Sequence, residues 1–497
     1  MESRDVVVVG GGVSGLSFAW NAARAGRKVL VLEGSERLGG CLDSRRTQAG
    51  YWYELGAHTC YNSYAGLLEI IEGTGLRDRI VPRGEARKRF AFLREGALDM
   101  LGPISVLLRF DKAELLRNVF GGMRASKEGA TTCGWYSGVV GKRNYSRILA
   151  PFLSAVPSQN VDSFPASGPG SLFKKRARRK DVVKSFTLDG GLGSVAAAVA
   201  ATPGIETVTG AVVREVRRSG AGHEVRLGDG RAFQAPVVSV AVPPSMAAAL
   251  LRADFPDLAS ELARIGMAAT ETVGVVVRRE KLKLPEMAFL VPADDVFWSA
   301  VTRDPVPDPA WRAFAFHFKT GKTDEERRAR IAEILQVAQA DFEEVTRRMT
   351  LLPSPALGHD RVIGELDRML AGSRLALTGN YFEGLAIEDC VLRSRAEWAR
   401  VSAPGLPALS CSASNRPARR PERAPAARPR EGATNTVSSP AMVPRTPGSR
   451  ARSMARATAG ALPGSVRITT REPFVATAET RPATAAATAA GAPSPIS

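Results

Sequence analysis

Three observations predict an α/β fold in which a Rossmann-like dinucleotide-binding sheet is interrupted by an inserted α+β region. The first is the opening stretch, where Val6 to Val9 run directly into Gly10, Gly12 and Gly15. The second is a later stretch of similar design, Leu375 to Cys390, where a short apolar run meets a glycine-rich turn and then a helical pattern. The third is the interleaving of strand-like and amphipathic patterns between these two, which implies insertions into one domain and not two beads on a string.

Four consecutive valines suit a short parallel strand buried on both faces. In G-x-G-x-x-G the first glycine permits the tight turn and the second lets backbone approach a pyrophosphate. The third lets the helix lie close on the strand. The helix from Val13 to about Ala25 aims its free N-terminal amides at that anion, and Gly26 ends it. Lys28 to Leu32 reads as the second strand. Glu33 at its end is placed to accept the ribose hydroxyls of an adenosine. The rival reading is a structural glycine turn in some other α/β unit.

The residues that follow choose the dinucleotide. Glu33 to Gly40, EGSERLGG, resembles the E-x(3)-R-x-G-G extension of the flavin amine oxidase superfamily, which grips FAD and not NAD. Arg37 then reads as a second phosphate contact or as a solvated loop charge, with Gly39 and Gly40 completing the turn. Glu54-Leu55-Gly56 resembles the turn that passes the isoalloxazine in the same proteins.

Further along, Tyr64 to about Glu72 reads as a helix. Ala86 to Leu98 reads as a strand that turns at Gly96, and Pro103 to about Arg147 is helical. Asp189 to Gly193 precedes an alanine-rich helix and then the strand Ile205 to Val208, whose last residue is a further candidate cofactor contact. Ala211 to Val216 and Val237 to Val242 are strands. Ala268 to Arg278, with the segments around Phe289, Phe297 and Phe314, suggests a second sheet. Glu325 to about Arg348 reads as a charged amphipathic helix. The predicted domains are therefore residues 1–62, 186–250 and 370–403 for FAD, and 63–185 and 251–369 for the substrate.

Composition excludes several classes. The chain has 497 residues and five scattered cysteines without a C-x-x-C pair, which argues against a disulfide framework or a zinc site. Its four histidines lack metal-ligand spacing, so no metal is expected. No apolar run approaches the length of a spanning helix, and the opening strand leaves no room for a signal peptide. A cytoplasmic location follows as the expectation, with peripheral attachment to the inner face of a membrane. The formal charge is +18, but half of it falls in residues 404–497, which hold 13 arginines, four glutamates and no lysine or aspartate. That stretch carries 14 of the 32 prolines and one aromatic, Phe474. It cannot bury enough apolar surface to order itself, and reads as a disordered tail or as GC-rich DNA translated out of frame. Lys174 to Lys180 places six positive charges in seven residues. It reads as a solvated face, or as a membrane patch or anionic-substrate funnel. No aromatics interleave with the charges, so nucleic acid is not an expected partner.

Together, GGGVSGL, EGSERLGG, YELG, KRFAFLREGAL, FTLDGGLGSVAAAV, LPSPALGHDRVIGEL and GNYFEGLAIEDC resemble, in order, the protoporphyrinogen oxidase family of the flavin amine oxidase superfamily. The resemblance runs from Val6 to about Arg400. It implies FAD, and implies that the turn after Gly379 backs the flavin pyrophosphate and ribityl chain through Ala386, Ile387 and Asp389. It implies a porphyrinogen substrate, oxidised in three two-electron steps with oxygen as acceptor, and no compulsory general base. Arg89 matches an arginine that faces a substrate propionate. The family often has proline and arginine after E-L-G, whereas this chain has Ala57 and His58, so His58 is a second candidate substrate residue. Other readings remain: a desaturase of carotenoid or squalene type, an amine oxidase, or a degenerate, non-catalytic flavoprotein.

Overall fold

The computed structural model describes residues 2–220, 222–404 and 467–469. Its centre is a five-stranded parallel sheet ordered Ile205–Val208, Val29–Leu32, Val6–Val9, Val237–Val240 and Leu375–Leu377. The four opening valines are all buried because both faces of this sheet are covered. Val6 and Val8 pack on Phe18, Ala19 and Ala22 of the helix Val13–Arg24. Val7 and Val9 join the opposite cluster, with Leu251, Leu262 and Leu366 from the helices Pro244–Leu251, Pro256–Ala263 and His359–Leu370. Alternation along a strand thus serves two apolar layers.

The second sheet has eight strands, ordered Phe342–Pro353, Met267–Arg278, Trp311–Phe318, Phe297–Thr302, Phe289–Pro292, Phe90–Arg94, Ala97–Leu101 and Arg467–Thr469. Both insertions contribute to it, since Phe90–Arg94 pairs in parallel with Phe289–Pro292. Val273, Val275, Phe314 and Phe316 cluster with Ile331 and Ile334 of the helix Asp324–Leu335. Val276 and Ala313 cluster instead with Tyr51, Tyr53 and Leu55, which flank or belong to the strand Trp52–Glu54. This second cluster joins the eight-stranded sheet to the strand Trp52–Glu54.

Two expectations are corrected. The helix from Glu325 to Arg348 stops at Leu335, where Gln336 takes a left-handed φ of 56°. From Phe342 the chain is a strand, paired antiparallel from Phe342 opposite Val277 to Pro353 opposite Met267. It is an edge strand with exposed and half-buried residues alternating for most of its length, so its charges mimic a solvated helix face. The strand expected from Ala86 begins instead at Phe90, after a 3₁₀ turn over Glu85–Lys88. The hairpin turn at Glu95 and Gly96 is as read, both with positive φ. Beyond Pro404 only Arg467–Thr469 is described, as a strand parallel to Ala97–Leu101; the rest of the expected tail lies outside the described residues. Among the described residues no helix is long and apolar enough to cross a membrane, and no cluster of three metal-ligating side chains occurs.

Candidate flavin site and adjoining cavity

The three glycines of the first loop serve different needs. Gly10 has φ of 103°, and a Cβ there would lie 2.7 Å from the Ala241 carbonyl oxygen. A Cβ on Gly15 would lie 1.9 Å from the Gly10 carbonyl oxygen. Those two are demanded by the fold itself. Gly12 is not: its φ is −76°, and a Cβ would meet nothing nearer than the Gly40 Cα at 3.8 Å. The space in front of Gly12 therefore has no packing explanation. It adjoins the start of Val13–Arg24, which has no side-chain cap and no acid in its first turn. An anionic pyrophosphate fits an opening bounded by unpaired backbone N–H groups.

Loops on either side frame that opening. The Gly11 N–H donates to the Glu33 carboxylate at 2.7 Å, and the Ser35 N–H and hydroxyl donate to its other oxygen at 2.9 and 2.7 Å. The Glu33 N–H donates to the Val208 carbonyl at 2.9 Å, which places Val208 beside the carboxylate. Gly39 and Gly40 both have positive φ, and the Gly39 N–H donates to the Gly11 carbonyl at 2.8 Å. Arg37, read as a phosphate contact, directs its guanidinium at the carbonyls of Leu38, Gly40 and Leu42, at 2.8–3.0 Å. It also pairs with the fully buried Asp43 at 3.2 Å, which Arg45 and Arg348 share. Arg37 here braces the loop through its own turn.

The second glycine-rich turn supplies another bare helix start. Ala386 is extended, and the helix Ile387–Ser402 that follows has no side-chain N-cap. The Ser394 hydroxyl donates to the Ser14 carbonyl at 2.8 Å, and Ser14 also contacts Cys390. The first turns of the two helices are therefore held side by side. Gly379 is required by Tyr381, whose ring would sit 2.3 Å from a Cβ. Asp389 is only 6% exposed and binds Arg176 at 2.6 Å, with Lys174 at 3.5 Å. Lys174 also donates to the Glu383 carboxylate at 2.6 Å, and Arg179 pairs with Glu72 and Asp181. Much of the basic run is thus spent on internal acids, three of them far away in sequence. Glu388, which sequence reasoning missed, accepts from the Gly66 and Leu67 N–H groups at 2.8 and 3.0 Å and so caps the helix Ala65–Gly73. An acid next to the flavin turn was the only available signal.

Gly56 is forced by the Cys41 carbonyl, 2.1 Å from where its Cβ would be. Glu54 and His58, on either side of that turn, line a small cavity with Arg83, Thr187, Arg303 and Phe314 among its walls. Burial keeps His58 neutral, its pKa lowered to about 3, with Arg83 and His317 acting in the same direction. Its Nδ1 bonds with the Thr59 hydroxyl at 2.8 Å. Arg303 stacks on Tyr51 and Trp52, 4.5 and 4.2 Å from the ring centroids. Neighbouring Asp304 forms a buried two-pronged pair with Arg312 at 2.6 and 2.9 Å, which anchors this wall. Arg89, read as the propionate partner, does not line this cavity. Its side chain is exposed, just after the Glu85–Lys88 turn.

Comparison with known proteins places this geometry in context. The family model described as flavin containing amine oxidoreductase matches residues 13–392. The chain is 24% identical to a coproporphyrinogen III oxidase of Propionibacterium freudenreichii subsp. freudenreichii, over 78% of this chain and 89% of that one. It is 25% identical to the protoporphyrinogen oxidase of Bos taurus, over 80% of this chain and 98% of that one. A solved structure of a protoporphyrinogen oxidase candidate from Exiguobacterium sp. 255-15 has the same fold, with a TM-score of 0.64 and 18% identity over 80% of this chain and 98% of that one.

Two outcomes follow. Gly12→Val should leave the protein folded, since its Cβ meets no close neighbour, yet purify with little flavin because the branched side chain fills the opening. Full flavin content in that variant, read from the visible spectrum of folded protein, would put the pyrophosphate elsewhere. The second concerns Glu54, whose carboxyl burial pushes up to about 7 against the opposing Leu192 N–H and Ser44 hydroxyl. The folded protein then holds a proton above the ordinary pKa of 4.5 that the unfolded chain has released. Stability from this group is full below pH 4.5, falls as pH rises to about 7 and is flat above. The loss is on the order of 3 kcal/mol. Glu54→Gln cannot titrate, so its melting temperature should fall less than the wild type's between pH 5 and 7; parallel profiles would refute the assignment.

Proposed function

Because the chain belongs to the flavin-containing amine oxidoreductase family, we propose that it is an FAD-dependent oxidase of a porphyrinogen, coproporphyrinogen III or protoporphyrinogen IX. FAD is the cofactor of this family, and molecular oxygen is the proposed final acceptor. The observation that carries the reading is the similarity to two porphyrinogen oxidases across most of this chain and nearly all of theirs. Motif-level likeness to the superfamily would cover only the nucleotide loop. A likeness running through both insertions takes in the region that meets the substrate. The charge of the cavity supports the same choice, since Arg83 and Arg303 line it. Two guanidiniums attract an acidic substrate and repel the ammonium group of an aliphatic amine.

FAD, when bound, supplies the hydride acceptor and carries the redox chemistry. The protein's own residues hold and orient. The paired first turns of Val13–Arg24 and Ile387–Ser402 offer N–H groups to the pyrophosphate, and Glu33 offers acceptors to the ribose. Arg37, Asp43 and Arg348 set the loop that leads to Gly56. Trp52, Val301 and Phe314 form apolar parts of the cavity wall. His58, neutral at working pH, offers hydrogen bonding without a competing charge. Arg176 and Lys174 hold Asp389 and Glu383, and so keep the second glycine turn in place.

The test is anaerobic mixing of the purified holoprotein with each porphyrinogen, followed at the flavin's visible absorbance. Coproporphyrinogen III or protoporphyrinogen IX should bleach the flavin stoichiometrically, and readmitted oxygen should restore it with release of hydrogen peroxide. Bleaching by a primary amine or a carotenoid precursor, and by neither porphyrinogen, would replace this reading with another oxidoreductase of the same family.

A further inference from the structure

Arg83 is conspicuous for what it does not touch. Most buried or half-buried arginines in this protein are committed: Arg37 to carbonyls and Asp43, Arg312 to Asp304, Arg176 to Asp389, Arg393 to Asp367. Arg83 is half-buried and lines the cavity, and its backbone N–H and carbonyl are engaged with Ser185 and Arg87. Among the described residues its guanidinium has no carboxylate, carbonyl or aromatic partner. Removing a guanidinium from water without a partner is costly, and burial accordingly lowers its pKa. A second, independent unpartnered group lines the same cavity. Thr187 is 3% exposed, and its hydroxyl is buried with no hydrogen-bond partner. Buried hydroxyls are normally satisfied, so an unpaired one lining a cavity is free to hydrogen-bond a group that enters it.

The two are brought together by local sheet pairing. Thr187 lies on the strand Ser185–Leu188 opposite Val81, and Arg83 directly follows the partner strand Ile80–Pro82. The Gly84 N–H donates to the Pro305 carbonyl at 2.7 Å, which fixes the turn against the wall that carries Arg303. We propose that Arg83 and Thr187 form the carboxylate anchor of the substrate, receiving one acidic side arm in the cavity beside His58. This rests on the reading of the protein as a porphyrinogen oxidase and deepens it by naming the contact that selects the acid. A guanidinium can grip both carboxylate oxygens, and a hydroxyl can donate to one of them. The anchor is thus a different arginine from Arg89, which the sequence suggested and which lies outside the cavity.

The experiment measures KM and the limiting rate of flavin reduction in the holoprotein, using coproporphyrinogen III and its tetramethyl ester. Wild type, Arg83→Gln, Arg83→Lys, Thr187→Val and Arg89→Gln are compared, with flavin content and melting temperature recorded for each. Losing a charge-assisted hydrogen bond should raise KM for the acid about 10- to 100-fold in Arg83→Gln. The limiting rate should change much less, and the preference for acid over ester should collapse. Lysine should recover part of that preference, and Thr187→Val should lower it about 2- to 10-fold. If Arg83→Gln fails to fold, Arg83→Lys and Thr187→Val carry the test, because both keep the local volume. Wild-type preference retained in the Arg83 and Thr187 variants would overturn the anchor while leaving the oxidase reading intact. A larger loss in Arg89→Gln than in Arg83→Gln would do the same. If neither porphyrinogen reduces the wild-type flavin, the oxidase reading falls and the anchor falls with it.

Discussion

The arrangement depends on two helix starts placed side by side, neither of which has a side-chain N-cap. A helix leaves its first N–H groups unpaired, and proteins usually answer with a Ser, Thr, Asp or Asn cap. Neither Val13–Arg24 nor Ile387–Ser402 has one. Other helices in the same chain do, including Lys112–Arg124, capped by Asp111, and Asp324–Leu335, capped by Thr323. Gly193–Ala200, Pro244–Leu251, Pro256–Ala263 and His359–Leu370 lack a side-chain cap as well, so what sets the first start apart is the clear space before Gly12. Ser14 and Ser394 tie the two helices together, so one ligand can use both. Gly12 keeps the approach clear, while Gly10 and Gly15 let the chain turn and pack behind it.

Charge elsewhere is organised to hold this place still. Asp43, fully buried, gathers Arg37, Arg45 and Arg348, and the last of these reaches in from the edge strand of the eight-stranded sheet. Lys174 and Arg176 tie a segment of the first insertion to the second glycine turn. Glu388, the residue beside Asp389, caps the helix Ala65–Gly73. Breaking a buried pair of this kind leaves a lone charge, which is far more costly than the pair is stabilising. Within the basic run, Lys174 and Arg176 act as part-buried struts, while Lys175, Arg178 and Lys180 are exposed. Arg83 departs from this pattern, and so it reads as a contact for a substrate.

Legibility in the sequence followed the range of the interaction. The strand, glycine loop and helix around Gly10, Gly12 and Gly15 are written within about twenty residues, so periodicity and turn chemistry were enough to place them. The same holds for the turn from Gly379 to Asp389. Phe342–Pro353 was misread because an edge strand with its charges turned to water has the composition of a solvated helix, and only its partner Met267–Arg278 decides. The hydrogen bonds of Arg37 to its own loop were not legible in the motif, because they depend on how that loop folds and brings its carbonyls together. Arg83 carries no motif. It became visible when Ser185–Leu188, distant in sequence, paired with Ile80–Pro82 and brought Thr187 alongside. Family resemblance pointed to Arg89 six positions later on the same segment.

The central claim is that the paired helix starts hold the pyrophosphate and Glu33 the adenosine, so that most of the grip lies away from the flavin ring. Titration of apoprotein with FAD and with riboflavin, followed by flavin fluorescence, tests it most directly. The account requires FAD to bind at least about 100-fold more tightly, since riboflavin lacks every group that these residues would hold. Affinities for FAD and riboflavin within a few-fold of each other would contradict it.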